Sequence, residues 1–363
     1  MNINFYGSFF GMTGYDSHCK QLVNALFKKT PYIHIEDLRT SNHKYELTQK
    51  EHIMLNNKFF QDGISIAVIL PPDWPKIWKK NPKHFIGFFV WEGDRIPKKW
   101  LLILDNKKVD QIWVPSSHTK QAILNTDKKL KRKIRVVPHG VNLKLFKPIK
   151  NKKTHEKMTF FANKGWAKGI NDRGGIQFLL KAFANEFRKN DSDKVALKVK
   201  INKSYNPTNW NLKKEIDKLK LYNNRPKVEI STSMIEYKNL PKFYHKGDVF
   251  VNPCMSDSFG LTIAEAMACG LPSITTNFGG QTDFVNEKNG WLIDYKLTPS
   301  KEPMYEGINW AIPDIVHLGK IMRNCVENPK KVERKGLKAT NDIKKYSWEN
   351  SARIAMKFLE ELK

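Results

Sequence analysis

Residues 256–280 read SDSFGLTIAEAMACGLPSITTNFGG. The run DVFVNPC leads into them, and Val249, Phe250 and Val251 in a row give it the make-up of a buried strand. Past Ser258, the residues Leu261, Ala264, Glu265 and Ala268 recur at helical spacing on one side of a short helix. Gly270 ends that helix and Pro272 blocks its continuation. LPSITT is then a second buried-type strand, and FGG is a loop whose glycines permit close approach to a ligand. This order puts acids and glycines at the C-terminal ends of two successive strands, beside a helix N-terminus. In a parallel α/β sheet, that edge is where ligands bind.

Taken singly, the acids have ordinary readings. A Glu in an Ala-rich helix is commonly a solvated surface residue, and an Asp ahead of a helix is commonly an N-cap. The joint pattern is far more specific: Asp257, seven residues, then Glu265 in AEAMACGLP, followed by Gly279 and Gly280. It resembles the fingerprint of the retaining nucleotide-sugar glycosyltransferases of family 4, which have the two-domain GT-B fold. Asp257 stands where that family usually has Glu. The resemblance implies that Glu265 accepts hydrogen bonds from the donor's ribose hydroxyls and that Asp257 sits near the donor sugar hydroxyls; these two are the catalytic candidates. It also implies donor contacts from Ser258, Phe259, Gly260 and Leu261, and from backbone groups of Phe278, Gly279 and Gly280. No side chain is assigned as a nucleophile. In this family the outgoing phosphate is thought to help deprotonate the acceptor on the same face.

The chain has 363 residues, enough for two domains of ordinary size. Hydrophobic residues make up 40% and aromatics 12%, so real cores can be buried. The net charge is +27, from 63 Lys and Arg against 36 Asp and Glu. The basic residues are scattered in short patches, without zinc-finger spacing or an RNA-binding aromatic signature. Compositional bias with some attraction to an anionic membrane surface accounts for this charge better than nucleic acid does. Cys19, Cys254, Cys269 and Cys325 show no metal or redox spacing, which suits a reducing compartment; Cys254 and Cys269 sit in apolar runs as small core residues. MNINFYGSFF is short and lacks a basic leader, and no run reaches the ~20 apolar residues of a spanning helix. The expectation is a cytoplasmic protein, soluble or peripheral on a membrane.

Taken in order, INFYGSFF (Ile3 to Phe10) reads as a first strand. Gly11 and Gly14 make a tight loop, and a helix starts near Asp16 or Ser17 with Leu22, Val23, Leu26 and Phe27 inward. This layout is either a phosphate cradle or a plain βα turn; the resemblance places the loop beside the acceptor. Further strands are expected over Tyr32–Leu38, Ile64–Leu70, His84–Glu92, Asp110–Ser116 and Ile134–Gly140. FFVWEGDRIPKKW, QIWVPSSHTKQAI and VVPHGVNLKLF look like the N-terminal domain of the same family. Glu92, Asp94 and Arg95 then become acceptor-side candidates, with pairing of Arg95 to an acid as the structural alternative. His139 reads either as a hydrogen-bonded structural residue or as a ligand contact.

KPIKNKKTHEKM (Lys147 to Met158) is polar, basic and aperiodic, a linker by composition. Strands and helices alternate again after it, so two Rossmann-like domains facing across a cleft are expected, over 1–146 and 159–345. The resemblance has the last helix, SWENSARIAMKFLEEL (Ser347 to Leu362), crossing back to the N-terminal domain. Ala352, Ile354, Ala355, Phe358 and Leu359 give that helix an apolar face.

The second chemical segment is ANKGWAKGINDRGGIQFLLKAF. The family usually has Arg after this strand and Lys-Gly opening the next helix. Lys164 and Arg173 look like their stand-ins, in reversed order and with a longer spacing. A leaving diphosphate gains negative charge as the glycosidic bond breaks, and fixed cations with a helix N-terminus stabilise it without a metal. Asp191-Ser192-Asp193 matches the DxD signature of metal-dependent glycosyltransferases. Because it follows a helix and precedes a strand, it reads better as a polar turn, and neither a metal nor a cofactor is expected. In the family the nucleotide base is set by backbone groups near Ser233 and Met234.

The combined reading is a retaining, metal-independent transferase moving a sugar from a nucleotide-diphosphate sugar to a glycan, lipid-linked or protein acceptor. The rivals are another Rossmann-type nucleotide binder or a basic nucleic-acid-binding protein. The first lacks a G-x-G-x-x-G that opens a helix after a strand.

Overall fold

A computed structural model describes residues 1–11, 13–38, 47–149, 155–203 and 206–362. The chain divides into two compact units. One comprises Met1–Gly140, Pro299–Asn309 and Tyr346–Lys363; the other comprises Val141–Thr298 and Trp310–Lys345. The first unit thus ends six residues before the expected boundary at Phe146. It also takes in a short excursion, 299–309, that no composition shift announces. Part of the expected linker, 150–154, lies outside the described residues.

The first unit is built on β1 (Ile3–Gly7), β2 (Ile33–Asp37), β3 (Ile64–Val68), β4 (His84–Phe88), β5 (Gln111–Val114) and β6 (Ile134–Val136). They form one sheet in the order β2-β1-β3-β4-β5-β6, parallel throughout. Its helices are α1 (Gly14–Phe27), α2 (Gln49–Asn56), α3 (Trp74–Trp78), α4 (Leu101–Leu104) and α5 (Ser117–Thr126). Each strand stops earlier than its apolar run, at the last residue of its paired register or within one residue of it. β1 is an example. Its register closes at Gly7, whose α-hydrogen faces the Cys19 sulfur so closely that a Cβ would lie 2.5 Å from it. α1 starts at Gly14 rather than at Asp16 or Ser17. Thr13 caps it, and Asp16 at the third helical position closes a capping box.

The second unit contains β7 (Met158–Gly165), β8 (Val195–Asn202), β9 (Val228–Ser231), β10 (Val249–Asn252), β11 (Ser273–Thr276) and β12 (Gly290–Ile293). They pair in parallel in the order β12-β11-β10-β7-β8-β9. A two-stranded ribbon, β13 (Tyr295–Pro299) with β14 (Asn309–Pro313), follows. Its helices are α6 (Ile176–Glu186), α7 (Leu212–Asp217), α8 (Leu240–Tyr244), α9 (Leu261–Ala268), α10 (Ile315–Glu327) and α11 (Pro329–Ile343). The main core lies between α6, α10 and one sheet face, with Phe160, Leu197, Leu179, Phe183 and Met322 closed off from solvent.

The final helix, α12 (Trp348–Glu360), is capped by Ser347 and packs beside α1 in the first unit. Its buried face is Trp348, Ser351, Ala352, Ala355 and Leu359; Ile354 and Phe358 lie half-buried on its flank rather than at its centre. Gln111 donates to the Phe358 carbonyl at 2.9 Å, and Arg135 reaches Glu361 at 2.7 Å. No helix among the described residues is long and apolar enough to cross a membrane.

Candidate donor-binding site

In the second sheet the chain runs β7, β8, β9 in one direction and then returns to lay β10, β11 and β12 on the other side of β7. The order therefore reverses between β7 and β10. At such a reversal the loops leaving the two strands diverge to opposite faces and open a crevice at the strand ends. Lys164 stands one residue before the end of β7, and Asp257 lies in the loop after β10.

Three loops meet there. The Lys164 ammonium is 2.5 Å from Asp257 Oδ2. Asp257 Oδ1 accepts from the Gly260 amide at 3.0 Å, and the Asp257 carbonyl accepts from the Gly280 amide at 2.7 Å. Arg173 donates through Nη1 to the Ser256 carbonyl at 2.7 Å, while its own carbonyl accepts from the Met255 amide at 2.9 Å. Burial pushes the Asp257 carboxyl up, but Lys164 and Arg173 outweigh it, so the group titrates below the usual carboxylate range. Burial pulls the Lys164 ammonium down, and the Asp257 charge more than restores it, leaving it raised. Asp257 is therefore an ion-paired acid that also shapes its own loop; the N-cap of α9 is Gly260, so the simple capping reading of Asp257 does not hold.

The glycines make this convergence sterically possible. Gly175 precedes α6 with φ +88°, and a Cβ there would lie 2.1 Å from the Pro253 carbonyl oxygen. A Cβ on Gly280 would lie 2.0 Å from the Ser258 carbonyl oxygen. Gly260 (φ +94°) heads α9 and Gly279 (φ +118°) turns the loop after β11. Both values favour glycine over any side chain. The N-terminal amides of α6 and α9 thus end beside Lys164 and Arg173, a cationic and amide-rich edge suited to anions.

Glu265 is not a solvated helix residue. It is 8% exposed, and Tyr244 at the end of α8 donates to its Oε2 at 2.7 Å. Burial raises its carboxyl to about 7, with the Tyr244 bond pulling the other way. Ser258 is buried, and Phe259 turns inward against Phe284 with ring centroids 5.1 Å apart, so only the Phe259 backbone is available to a ligand. Leu261, at the start of α9, is half-buried. Ser233 and Met234 lie exposed just past β9, with Ser231 Oγ 2.8 Å from Ser233 Oγ.

Sequence reasoning passed over three supporting residues. Tyr244 holds Glu265. Asp172 shapes the loop before α6 by accepting from the Ala167, Lys168 and Gly174 amides at 2.7, 3.0 and 2.7 Å. Gln281, fully buried, donates to the Thr276 and Phe278 carbonyls. Asp172, just ahead of Arg-Gly-Gly, had a local signal as a turn-forming Asp; the other two had none.

Asp191 sits in a 3-10 turn and accepts from Arg323 at 2.8 and 3.2 Å through both oxygens, while Arg323 Nε also reaches Glu186 at 2.9 Å. Asp193 is exposed. No group of three or more His, Cys, Asp or Glu side chains among the described residues has the spacing of a metal site. All four cysteines are buried thiols.

The candidates of the first unit have separate surroundings. The Gly11 amide donates to Asp16 Oδ1 at 3.0 Å, and Gly14 opens α1. Asp16 also takes the Ser8 and Thr13 hydroxyls, so the loop is organised around its own carboxylate. Glu92 accepts from the Tyr305 hydroxyl at 2.6 Å. Asp94 grips Asn309 through both its backbone and side-chain amides, at 2.7 and 2.9 Å. Arg95 is exposed and bonds the Asn125 carbonyl at 3.0 Å rather than an acid. His139 is 4% exposed, with its ring 4.1 Å from that of His18 and 6.0 Å from that of Trp348. Burial lowers the His18 imidazole well below its usual value, with the neighbouring His139 adding to the effect.

Among solved structures, the sucrose-phosphate synthase of Thermosynechococcus elongatus superposes on 99% of this chain and 98% of its own, with a TM-score of 0.69 at 17% identity. The Anabaena protein HepE, solved in complex with UDP-glucose, covers 99% of this chain and 100% of its own, with a TM-score of 0.70 at 14% identity. At such identity the likeness shows a shared fold, the GT-B fold with its two α/β units. A sucrose synthase of Solanum tuberosum is 41% identical over 69 residues, which are 18% of this chain and only 9% of the synthase. The family model described as glycosyl transferases group 1 matches residues 145–332, just over half of the chain and a span that includes all of the candidate residues of the second unit, so the protein belongs to the glycosyl transferases group 1 family.

Proposed function

We propose that the protein transfers a hexosyl group from a nucleotide-diphosphate sugar to an acceptor, with retention of anomeric configuration and without a metal. The observation that carries this is the ion pair of Lys164 and Asp257, flanked by Arg173 and two helix N-termini at the strand-order reversal. HepE in complex with UDP-glucose and the sucrose synthases among the relatives favour a hexosyl donor.

In this reading the diphosphate competes with Asp257 for Lys164. Lys164 turns to the phosphates together with Arg173, and the released Asp257 oxygen accepts from a sugar hydroxyl. Both cations then stabilise the leaving diphosphate where its charge develops. Glu265, uncharged over much of the range below pH 7 in the free protein, ionises as the ribose hydroxyls donate to it. Gly279 and Gly280 keep the loop after β11 close enough for backbone contact. In the first unit, Glu92, Arg95 and the Gly11–Gly14 loop are the acceptor-side residues. His139, held in a ring cluster, positions its surroundings rather than the acceptor.

The test is a thermal-shift screen of nucleotide sugars, in which a ligand at 100 times its dissociation constant adds about 2.7 kcal/mol. NMR of the product from the stabilising donor follows. An inverted anomeric centre, or turnover that EDTA abolishes and manganese restores, refutes the corresponding part of the proposal. The exposed residues Lys128, Lys129, Lys131 and Arg132, around a buried Leu130, additionally favour attachment to an anionic membrane carrying a lipid-linked acceptor. Equal sedimentation with anionic and neutral vesicles at low salt would remove that arm.

A further inference from the structure

The second sheet is covered unevenly. One face is closed by α6, α7 and α10. On the other, α8 is only five residues long, and a cavity of about 520 Å³ opens beside it over β8 and β9. Phe161 and Phe243 form its apolar wall, and Lys198, Lys200, Lys246, Ser231 and the Glu229 carboxylate supply its polar groups. The register explains the gathering: Lys198 lies beside Phe161, and Lys200 lies beside Ser231, so alternate residues of adjacent strands face one way.

Lys200 is the unusual member. It is 5% exposed, and among the described residues its ammonium has neither an ion-pair partner nor a hydrogen-bond acceptor. Burial alone pulls it below the ordinary lysine value. The stem is buried and the ammonium is not among the sealed polar atoms, so its uncompensated charge is presented to the cavity. Around it, Lys198 approaches Glu229 only to 3.9 Å, and the Lys246 ammonium stands 4.7 Å from the centre of the Phe243 ring. Three cations against one carboxylate leave the lining positive, with two aromatic rings beside them.

We propose that this cavity is a second ligand site, taking the phosphate of a small phosphate monoester with an apolar body, separate from the donor loops. The phosphate compensates Lys200, with Ser231 donating and Lys198 and Lys246 closing the mouth. The apolar body lies on Phe161 and Phe243. A volume near 520 Å³ suits a molecule of metabolite size. Phe161 also packs on Tyr244, with ring centroids 5.8 Å apart, and Tyr244 holds Glu265. Two aromatic rings, Phe161 and Tyr244, therefore link the cavity wall to Glu265.

The test uses the full chain, with phenyl phosphate and inorganic phosphate as calorimetric probes at pH 7. Phenyl phosphate is expected to bind at least tenfold more tightly than inorganic phosphate. Lys200→Met should weaken it tenfold or more, and Arg173→Ala should leave it within twofold. A saturating nucleoside diphosphate should not displace it. Binding that survives Lys200→Met, disappears in Arg173→Ala or is displaced by the nucleoside diphosphate overturns the proposal, since the phosphate then sits in the donor loops. Equal affinity for the two probes refutes the organic body. Lys200→Met replaces the buried stem with an apolar side chain and should fold as the parent does. If it does not fold, the doubly substituted Lys198→Gln, Lys246→Gln protein, altered only at half-buried and exposed positions, must show the same weakening.

Discussion

Replacing Glu265 by Gln should make the protein more stable and less able to bind its donor. The carboxyl is 8% exposed, and burial raises it from 4.5 to about 7. A raised carboxyl means that the folded state holds the proton more tightly than the unfolded chain does. The stabilisation is complete below the unfolded value of 4.5 and is lost as pH rises through about 7. At roughly 1.4 kcal/mol per unit, the loss approaches about 3 kcal/mol above pH 8. Gln keeps the size, stays neutral at every pH and still accepts from the Tyr244 hydroxyl. The stability difference between Glu265→Gln and the parent, read from urea unfolding, should therefore grow by about 2 kcal/mol from pH 5 to pH 8. In the same protein, donor affinity at pH 8 should fall by roughly tenfold or more, since a charge-assisted bond contributes about 1.5–3 kcal/mol. Parallel stability profiles at the two pH values would refute the buried, proton-holding carboxyl. Unchanged donor binding would show that Glu265 is structural only.

Other outcomes follow from the same geometry. Donor binding at pH 7 should release protons as Glu265 ionises, and affinity should rise with pH through about 7; calorimetry in buffers of different ionisation enthalpy measures both. Lys164→Met should weaken nucleoside diphosphate binding by roughly tenfold or more, because it also leaves Asp257 buried without its cation; undiminished calorimetric affinity would contradict the diphosphate role. Activity should persist in EDTA, and Asp191→Ala should keep turnover while costing about 1–2 kcal/mol of stability through the lost Arg323 bonds. Gly280→Ala should destabilise by about 1–3 kcal/mol and reduce donor affinity, since its Cβ would meet the Ser258 carbonyl at 2.0 Å.

Much of the candidate donor site is legible along the chain because its parts are local. Asp257 and Glu265 share one loop-helix unit, Gly279 and Gly280 follow the next strand, and Lys164 and Arg173 flank one turn. Apolar runs separated by helical periodicity likewise mark two sets of parallel strands, since a strand covered on both faces has no polar side to show. Strand ends read from apolar runs come out too long for the same reason: an apolar run continues past the last paired residue. Helices α10 and α11 carry signals of their own, Asp314 as N-cap and Pro329 in the first turn.

What the sequence could not show is which groups separated in the chain neutralise one another. Lys164 and Asp257, 93 residues apart, pair only because β10 returns to lie against β7. Glu265 gains its raised pKa only when packing excludes water from it, against the opposing pull of the hydrogen bond from Tyr244 on α8. Asp94 is engaged by Asn309, 215 residues away, and Lys200 reads as one more surface lysine until the register of β8 places it under the sheet. Residue types, turn chemistry and the family are legible along the chain, because these depend on neighbours a few positions away, whereas the caps of α1 and α9 fall on Thr13 and Gly260 rather than on the acids that follow or precede them. The protonation states, the ion pairs and the unpaired buried lysine were decided only by tertiary structure, because burial and charge pairing depend on distance in space.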